Sequence, residues 1–185
     1  MVGLAEIGAV SDSERESNSM VKLGAHGASG GDAGIPNFHK VTDWLYRGGQ
    51  PTAEGYRHLR TLGVKTVICL RWSVRMIKEG EKLALEEGMN FESLPLNYWT
   101  FPSAGEIERF LAWLDNEDLR PIYVHCKHGS DRTGLLLAIY RMARHGWDAD
   151  SAYEEMRERG FHKIKMHHFK WAVYGFARRH NHMRS

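Results

Sequence analysis

Apolar residues in this chain fall first into short runs and then, beyond residue 130, recur at helical spacing. Trp44-Leu45-Tyr46-Arg47 reads as a short strand stopped by Gly48-Gly49-Gln50-Pro51, because glycine and proline punctuate extended segments. Thr52 is placed to cap a helix running to about Leu62, and Gly63 stands where a left-handed residue ends one. Residues 64–70 (VKTVICL) form a β-branched run typical of a buried parallel strand. A charged helix is expected up to Glu87, a stop at Gly88, and a strand over residues 91–96. Ser103 and Glu106 match a capping box ahead of a helix with Ile107, Phe110, Leu111 and Leu114 on one face. Pro121 opens the strand Ile122-Tyr123-Val124, which runs straight into His125 and Cys126. Residues 133–145 are apolar on nearly every side, which predicts a central buried helix. Asp148 caps the next helix, with Ala152, Tyr153 and Met156 on one side, and a last helix presents Phe169, Val173, Phe176 and Ala177. Strand–helix units followed by helices alone predict a three-layer α/β fold with a central, mainly parallel sheet and a helical C-terminal cap.

Composition narrows the picture. Residues 1–35 are rich in glycine, serine and alanine without period and read as a flexible tail, leaving 36–183 as a single domain. Hydrophobic residues at 42% and charged ones at 26% supply one core, and no run approaches the ~20 apolar residues that stable membrane insertion requires. The N-terminus lacks the basic start and apolar stretch of a secretory signal, and two cysteines, Cys69 and Cys126, make no disulfide framework. A cytoplasmic, reducing setting is therefore expected, with a monomer as the default state. The net charge of +2 is uneven: from residue 157 onward eight Lys or Arg stand against Glu158 alone. That segment is either a solvated face or a basic wall that attracts anions. The aromatic residues at helical spacing read as core, so no nucleic-acid partner is expected.

The chemistry concentrates in His125-Cys126-Lys127-His128-Gly129-Ser130-Asp131-Arg132-Thr133-Gly134. This stretch leaves the C-terminal end of a strand and enters a helix, where open α/β sheets place ligands. Unpaired N–H groups at the helix start, with Lys127, His128, Gly129 and Ser130 forming the loop, can converge on a phosphate dianion, and Gly129 eases the turn. The same field lowers the pKa of Cys126 and favours a thiolate nucleophile. Arg132 offers a planar fork for two phosphate oxygens, Thr133 a hydrogen bond to the sulfur as leaving group, and His125 an orienting contact. The alternative is an inert buried cysteine beside a capping loop.

HCKHGSDRTG resembles the HCxxGxxRT/SG loop of the cysteine-based protein tyrosine phosphatases, and the chain's size resembles their dual-specificity branch. FHKVTDWLYRGGQP and VKTVICLR are similar to the opening of the bacterial and the plant and fungal atypical dual-specificity phosphatases. The resemblance runs from about Phe38 to Phe176. It implies a three-layer fold, hydrolysis through a phosphocysteine, and neither metal nor cofactor. Relatives carry an acidic proton donor on the loop before the 104–117 helix, whereas residues 95–103 (PLNYWTFPS) hold no carboxylate. Asp131, beside Arg132, is the candidate acid, resembling the loop aspartate of myotubularin-type lipid phosphatases; bracing the loop is its other reading. Asp115 and Asp118 remain open as donors, Glu106 is explained by capping, and an acidic leaving group would need no donor.

The expected substrate is a phosphorylated protein or a phosphorylated inositol or lipid, the latter suggested by Lys127 and His128. Sulfur transfer on a rhodanese-like loop and non-catalytic phosphate binding are the competing classes. Cys69 reads as core packing, with a redox partnership to Cys126 as the alternative. The histidine pairs at 167–168 and 180–182 do not have the spacing of a dedicated metal site.

Overall fold

The computed structural model describes residues 33–162 and 167–184, with side chains as far as residue 179. Residues 1–32, and with them most of the segment read as a tail, lie outside the described residues, as do Lys163, Lys165 and the side chains of His180, His182 and Arg184.

Five strands form one sheet: β1 (His39–Lys40), β2 (Leu45–Gly48), β3 (Thr66–Cys69), β4 (Asn90–Ser93) and β5 (Ile122–His125). Their order is β1-β2-β5-β3-β4, with β1 antiparallel to β2 and every other pairing parallel. Among the described residues six α-helices cover it: α1 (Ala53–Thr61), α2 (Val74–Glu86), α3 (Ala104–Asp115), α4 (Asp131–His145), α5 (Ala149–Glu158) and α6 (His167–Arg184). The period of two along each strand divides the core. Val67 and Tyr123 face a cluster with Tyr56, Leu59 and Ala84 from α1 and α2. Leu45, Ile68, Ile122 and Val124 face the opposite cluster, built with α3 to α6. The three-layer α/β expectation is what the structure shows.

Local signals fix the helix starts. The Thr52 hydroxyl accepts from Gly55 N–H at 3.2 Å, and the Asp148 carboxylate accepts from Ser151 N–H at 2.7 Å. Ser103 and Glu106 complete the capping box, at 3.2 Å and 2.7 Å. Each such cap stabilises its helix by about 1 kcal/mol. Helix α4 is buried from Asp131 to Met142, so truncating a central leucine such as Leu136 to alanine should cost ~2–5 kcal/mol.

Three boundaries differ from the sequence reading. Strand β1 has no sequence signal, because two polar residues carry no period; its pairing to Tyr46 and Arg47 comes from the chain folding back. Helix α4 begins at Asp131 rather than Thr133. Ile35, assigned to the tail, is buried against Tyr56 and Leu59, and the Gly34 carbonyl accepts from Thr52 N–H at 2.9 Å. Strand register positions Cys126: Gly48 and Cys69 both stand opposite His125, so β2, β3 and β5 end at one level.

Candidate active site

Cys126 leaves that level on β5, and the chain turns through residues 127–130 into α4. Gly129 makes the turn at φ +74°, and a Cβ there would lie 2.3 Å from the Gly48 carbonyl carbon. Only glycine fits so close to a neighbouring backbone at that φ. Two bonds from the end of β2 hold the loop, and a third, from β5, holds the chain just past β2. Arg47 Nη2 donates to the Gly129 carbonyl at 2.8 Å, Gln50 N–H to the Lys127 carbonyl at 3.1 Å, and the Tyr123 hydroxyl to the Gly49 carbonyl at 2.6 Å. The sequence presents Gly48-Gly49-Gln50 only as a strand stop and does not mark Arg47 as part of the site. The available signal is an arginine inside a strand that otherwise faces a core.

Cys126 is buried. Burial pushes its thiol up, but the Thr133 hydroxyl, the Arg132 guanidinium and the backbone N–H groups of Thr133 and His128 outweigh it and leave the pKa below the ordinary value. His125 is wholly buried and stacks on Tyr123 at 5.7 Å. Burial lowers its pKa to about 4, so the ring is neutral at pH 7 and its Nδ1–H donates to the Cys126 carbonyl at 3.1 Å. Cys69 differs: burial pushes its thiol up to about 11, which keeps it protonated as a core side chain. Lys127 and His128 turn outward at the rim, whereas Ser130 and Thr133 are buried within the turn.

Arg132 is almost fully buried, and its donors divide in two. Nη1 donates to the carbonyls of Leu70 at 3.3 Å and Leu96 at 3.1 Å, the chain just past β3 and β4. Nη2 donates to the Tyr98 hydroxyl at 2.6 Å. Nε has no protein partner among the described residues. The free edge, Nε–H with the second Nη2–H, is the side-on fork that matches two oxygens of a phosphoryl group. Tyr98 sits on the segment where relatives carry the acid, its ring under the guanidinium at 4.1 Å, and its carbonyl accepts from His168 Nε2 at 2.7 Å. The sequence marks neither Tyr98 nor His168 as a site residue.

The acidic candidates separate clearly. Asp115 is held by Arg144 through contacts of 2.7, 2.9 and 3.1 Å, which keep its carboxyl below the usual range. It ends α3, and Asp118 lies in the short turn Glu117–Leu119 just before β5 begins, so both sit at the end of the sheet away from Cys126. Glu106 is spent on Ser103. Asp131 is buried in the first turn of α4, and both its oxygens meet His162: Oδ1 accepts from the backbone N–H at 3.0 Å, and Nδ1 of the ring lies 3.1 Å from each oxygen. Nothing in the sequence points to His162, because no local pattern links it to a residue 31 positions earlier.

A loop of N–H groups around a lowered thiol, facing a fixed arginine edge, can bind a phosphate dianion and present sulfur to it. Comparison with known proteins agrees. The dual specificity protein phosphatase TpbA of Pseudomonas aeruginosa is 34% identical over 126 residues, covering 68% of this chain and 55% of its own. This chain thus spans about half the length of that relative. A crystal structure of TpbA in complex with pTyr superposes with a TM-score of 0.63 at 27% identity, covering 80% of this chain and 96% of the other. An inositol diphosphatase of Arabidopsis thaliana is 26% identical over 128 residues, 66% of this chain and 61% of that one. Residues 31–172 match the family described as DSP-PTPase phosphatase fused to NAD+ kinase, and the chain belongs to that dual-specificity phosphatase family.

Proposed function

We propose that this chain hydrolyses phosphate monoesters through a phosphocysteine intermediate. The observation that carries the proposal is the pairing of a lowered Cys126 thiol with the unpartnered Arg132 edge above the same turn. The thiolate attacks phosphorus as the P–O bond to the leaving group breaks, and a proton passes to that oxygen. Arg132 and the N–H groups of the loop hold the equatorial oxygens, more tightly as charge develops. Water then attacks phosphorus, and sulfur departs with the Thr133 hydroxyl stabilising it. His125 and Arg47 keep the loop in shape. We assign Asp131 to the group of residues that serves the proton-transfer step, as donor or as the support of one, and Lys127, His128, Gly129 and Ser130 to substrate binding.

The favoured substrates are phosphoproteins, supported by the likeness to TpbA and its complex with pTyr. Phosphorylated inositols are the second reading, supported by the outward basic residues Lys127 and His128 and by the inositol diphosphatase relative. A reducing compartment such as the cytoplasm suits a mechanism that needs a free thiol. The test is turnover of an aryl phosphate in chelator, inhibited by vanadate, with a phosphate adduct on the Cys126 peptide after acid quench. Turnover without any adduct would overturn the covalent route.

A further inference from the structure

A carboxylate that is to donate a proton must carry one, yet Asp131 is arranged as an acceptor. Its two oxygens make three contacts at 3.0 and 3.1 Å with the backbone N–H and ring Nδ1 of His162. The carboxylate is buried and the imidazole half exposed, 6% against 54%. Only the Nδ1 edge of the ring is engaged among the described residues, which leaves Nε2 on the open side. His162 is also close enough to the rim for its charge to act on His128. A buried acid thus holds the ring by Nδ1 at the rim beside His128 and leaves Nε2 free for proton transfer.

We propose that His162 is the general acid, and that Asp131 is the positioning residue that holds it. The proposal rests on the phosphocysteine reading and specifies its proton step. As the Cys126 sulfur–phosphorus bond forms and the phosphorus–oxygen bond breaks, the proton on His162 Nε2 moves to the departing oxygen. In the second half, neutral Nε2 takes a proton from the attacking water while the sulfur–phosphorus bond breaks, which restores both imidazolium and thiolate. Asp131 stays ionised and gives up nothing. His128 on the loop is the group coupled to this pair, and it also feels the charges of Lys127 and Arg132. This placement also accounts for residues 95–103, which carry no acid. The donor has moved from that loop to the segment after α5.

The experiment compares His162→Gln and His162→Ala with the parent protein on aryl phosphates that span leaving-group acidity, from dinitrophenyl to phenyl phosphate. The backbone N–H bond to Asp131 survives both changes, and unchanged thermal midpoints confirm folding. The expected result is a fall in kcat/KM of ~10²–10⁴-fold on phenyl phosphate and under about threefold on dinitrophenyl phosphate. Asp131→Asn should show the same pattern more weakly. An equal loss on all esters, or no loss, would overturn the assignment to His162. Adduct trapping with the dinitrophenyl ester separates the two readings: an adduct in the His162→Gln protein without leaving-group discrimination sinks only the His162 assignment. Absence of the adduct in the parent sinks the phosphocysteine reading and this proposal with it.

Discussion

Arg132 donates a 2.6 Å hydrogen bond from Nη2 to the Tyr98 hydroxyl while its guanidinium carbon lies 4.1 Å above the centre of the same ring. With Nη1 fixed by the Leu70 and Leu96 carbonyls, these contacts clamp the guanidinium plane and leave one edge to meet a ligand. A fixed fork loses little rotational freedom on binding, so Tyr98 prepares Arg132 for an anion it does not itself touch.

Tyr98→Phe removes a hydrogen bond from a charged donor and keeps the stacked ring. We expect about a tenfold fall in kcat/KM on phenyl phosphate, consistent with the ~1.5–3 kcal/mol of such bonds. Tyr98→Ala should cost more, since the cation–π contact goes as well. A rise in vanadate affinity for Tyr98→Phe would show instead that the hydroxyl competes with the anion.

Cys126→Ser and Arg132→Lys separate chemistry from binding. The serine variant should lose turnover by more than a hundredfold yet still bind vanadate, because the loop N–H groups and Arg132 remain. The lysine variant should lose both, as a point charge cannot reproduce two parallel N–H···O bonds. Calorimetric vanadate binding alongside steady-state rates distinguishes the two outcomes.

Gly129→Ala and Gly63→Ala form a matched pair, both at φ near +75°. At Gly63 nothing lies within 4 Å of the added Cβ, so only the backbone cost of about 1 kcal/mol applies. At Gly129 the Cβ would meet the Gly48 carbonyl carbon at 2.3 Å and its oxygen at 2.6 Å, both backbone. Denaturant midpoints should fall much further for Gly129→Ala, and activity should be lost only there.

The Cys126 thiol and the histidines held low by burial set the pH behaviour, in different measurements. Because the Cys126 thiol is lowered, kcat/KM on dinitrophenyl phosphate, whose leaving group needs no proton donor, should rise with pH to a plateau reached below the ordinary thiol value. Stability depends instead on those histidines, half-buried His39 at about 4 and the more fully buried His125. The folded value of His125, about 4, lies below the ordinary 6.5, so the unfolded chain binds the proton more readily. Its contribution to stability is therefore complete above pH 6.5 and declines as pH falls towards 4, by about 3 kcal/mol in all. Denaturation at pH 7 and pH 5 should show a smaller loss in His125→Asn, which can still donate to the Cys126 carbonyl. Equal losses in both proteins would place the acid sensitivity elsewhere.

Strands β2 to β5, the caps at Thr52, Ser103 and Asp148, and the buried helix after Cys126 were legible because each depends on neighbours a few residues away. The β-branched run 64–70 announced a strand buried on both faces, and alternation then sends Ile68 and Val124 to one buried cluster and Val67 and Tyr123 to the other. The loop from His125 to Thr133 declared itself for the same reason: thiol, glycine, arginine and helix start are consecutive.

What only the tertiary structure decided are contacts whose partners lie far apart in the chain. Arg47 reaches Gly129 across 82 positions, Tyr98 meets Arg132 across 34, and His162 meets Asp131 across 31. None has a spacing rule, because each depends on which strand ends share a level and where α5 releases the chain. The sequence by itself singled out Cys126 as the candidate nucleophile, together with its loop and the α/β class. The clamp on the arginine, the brace under the loop and the partner of the buried acid were set by folding, which joins residues that no local periodicity relates.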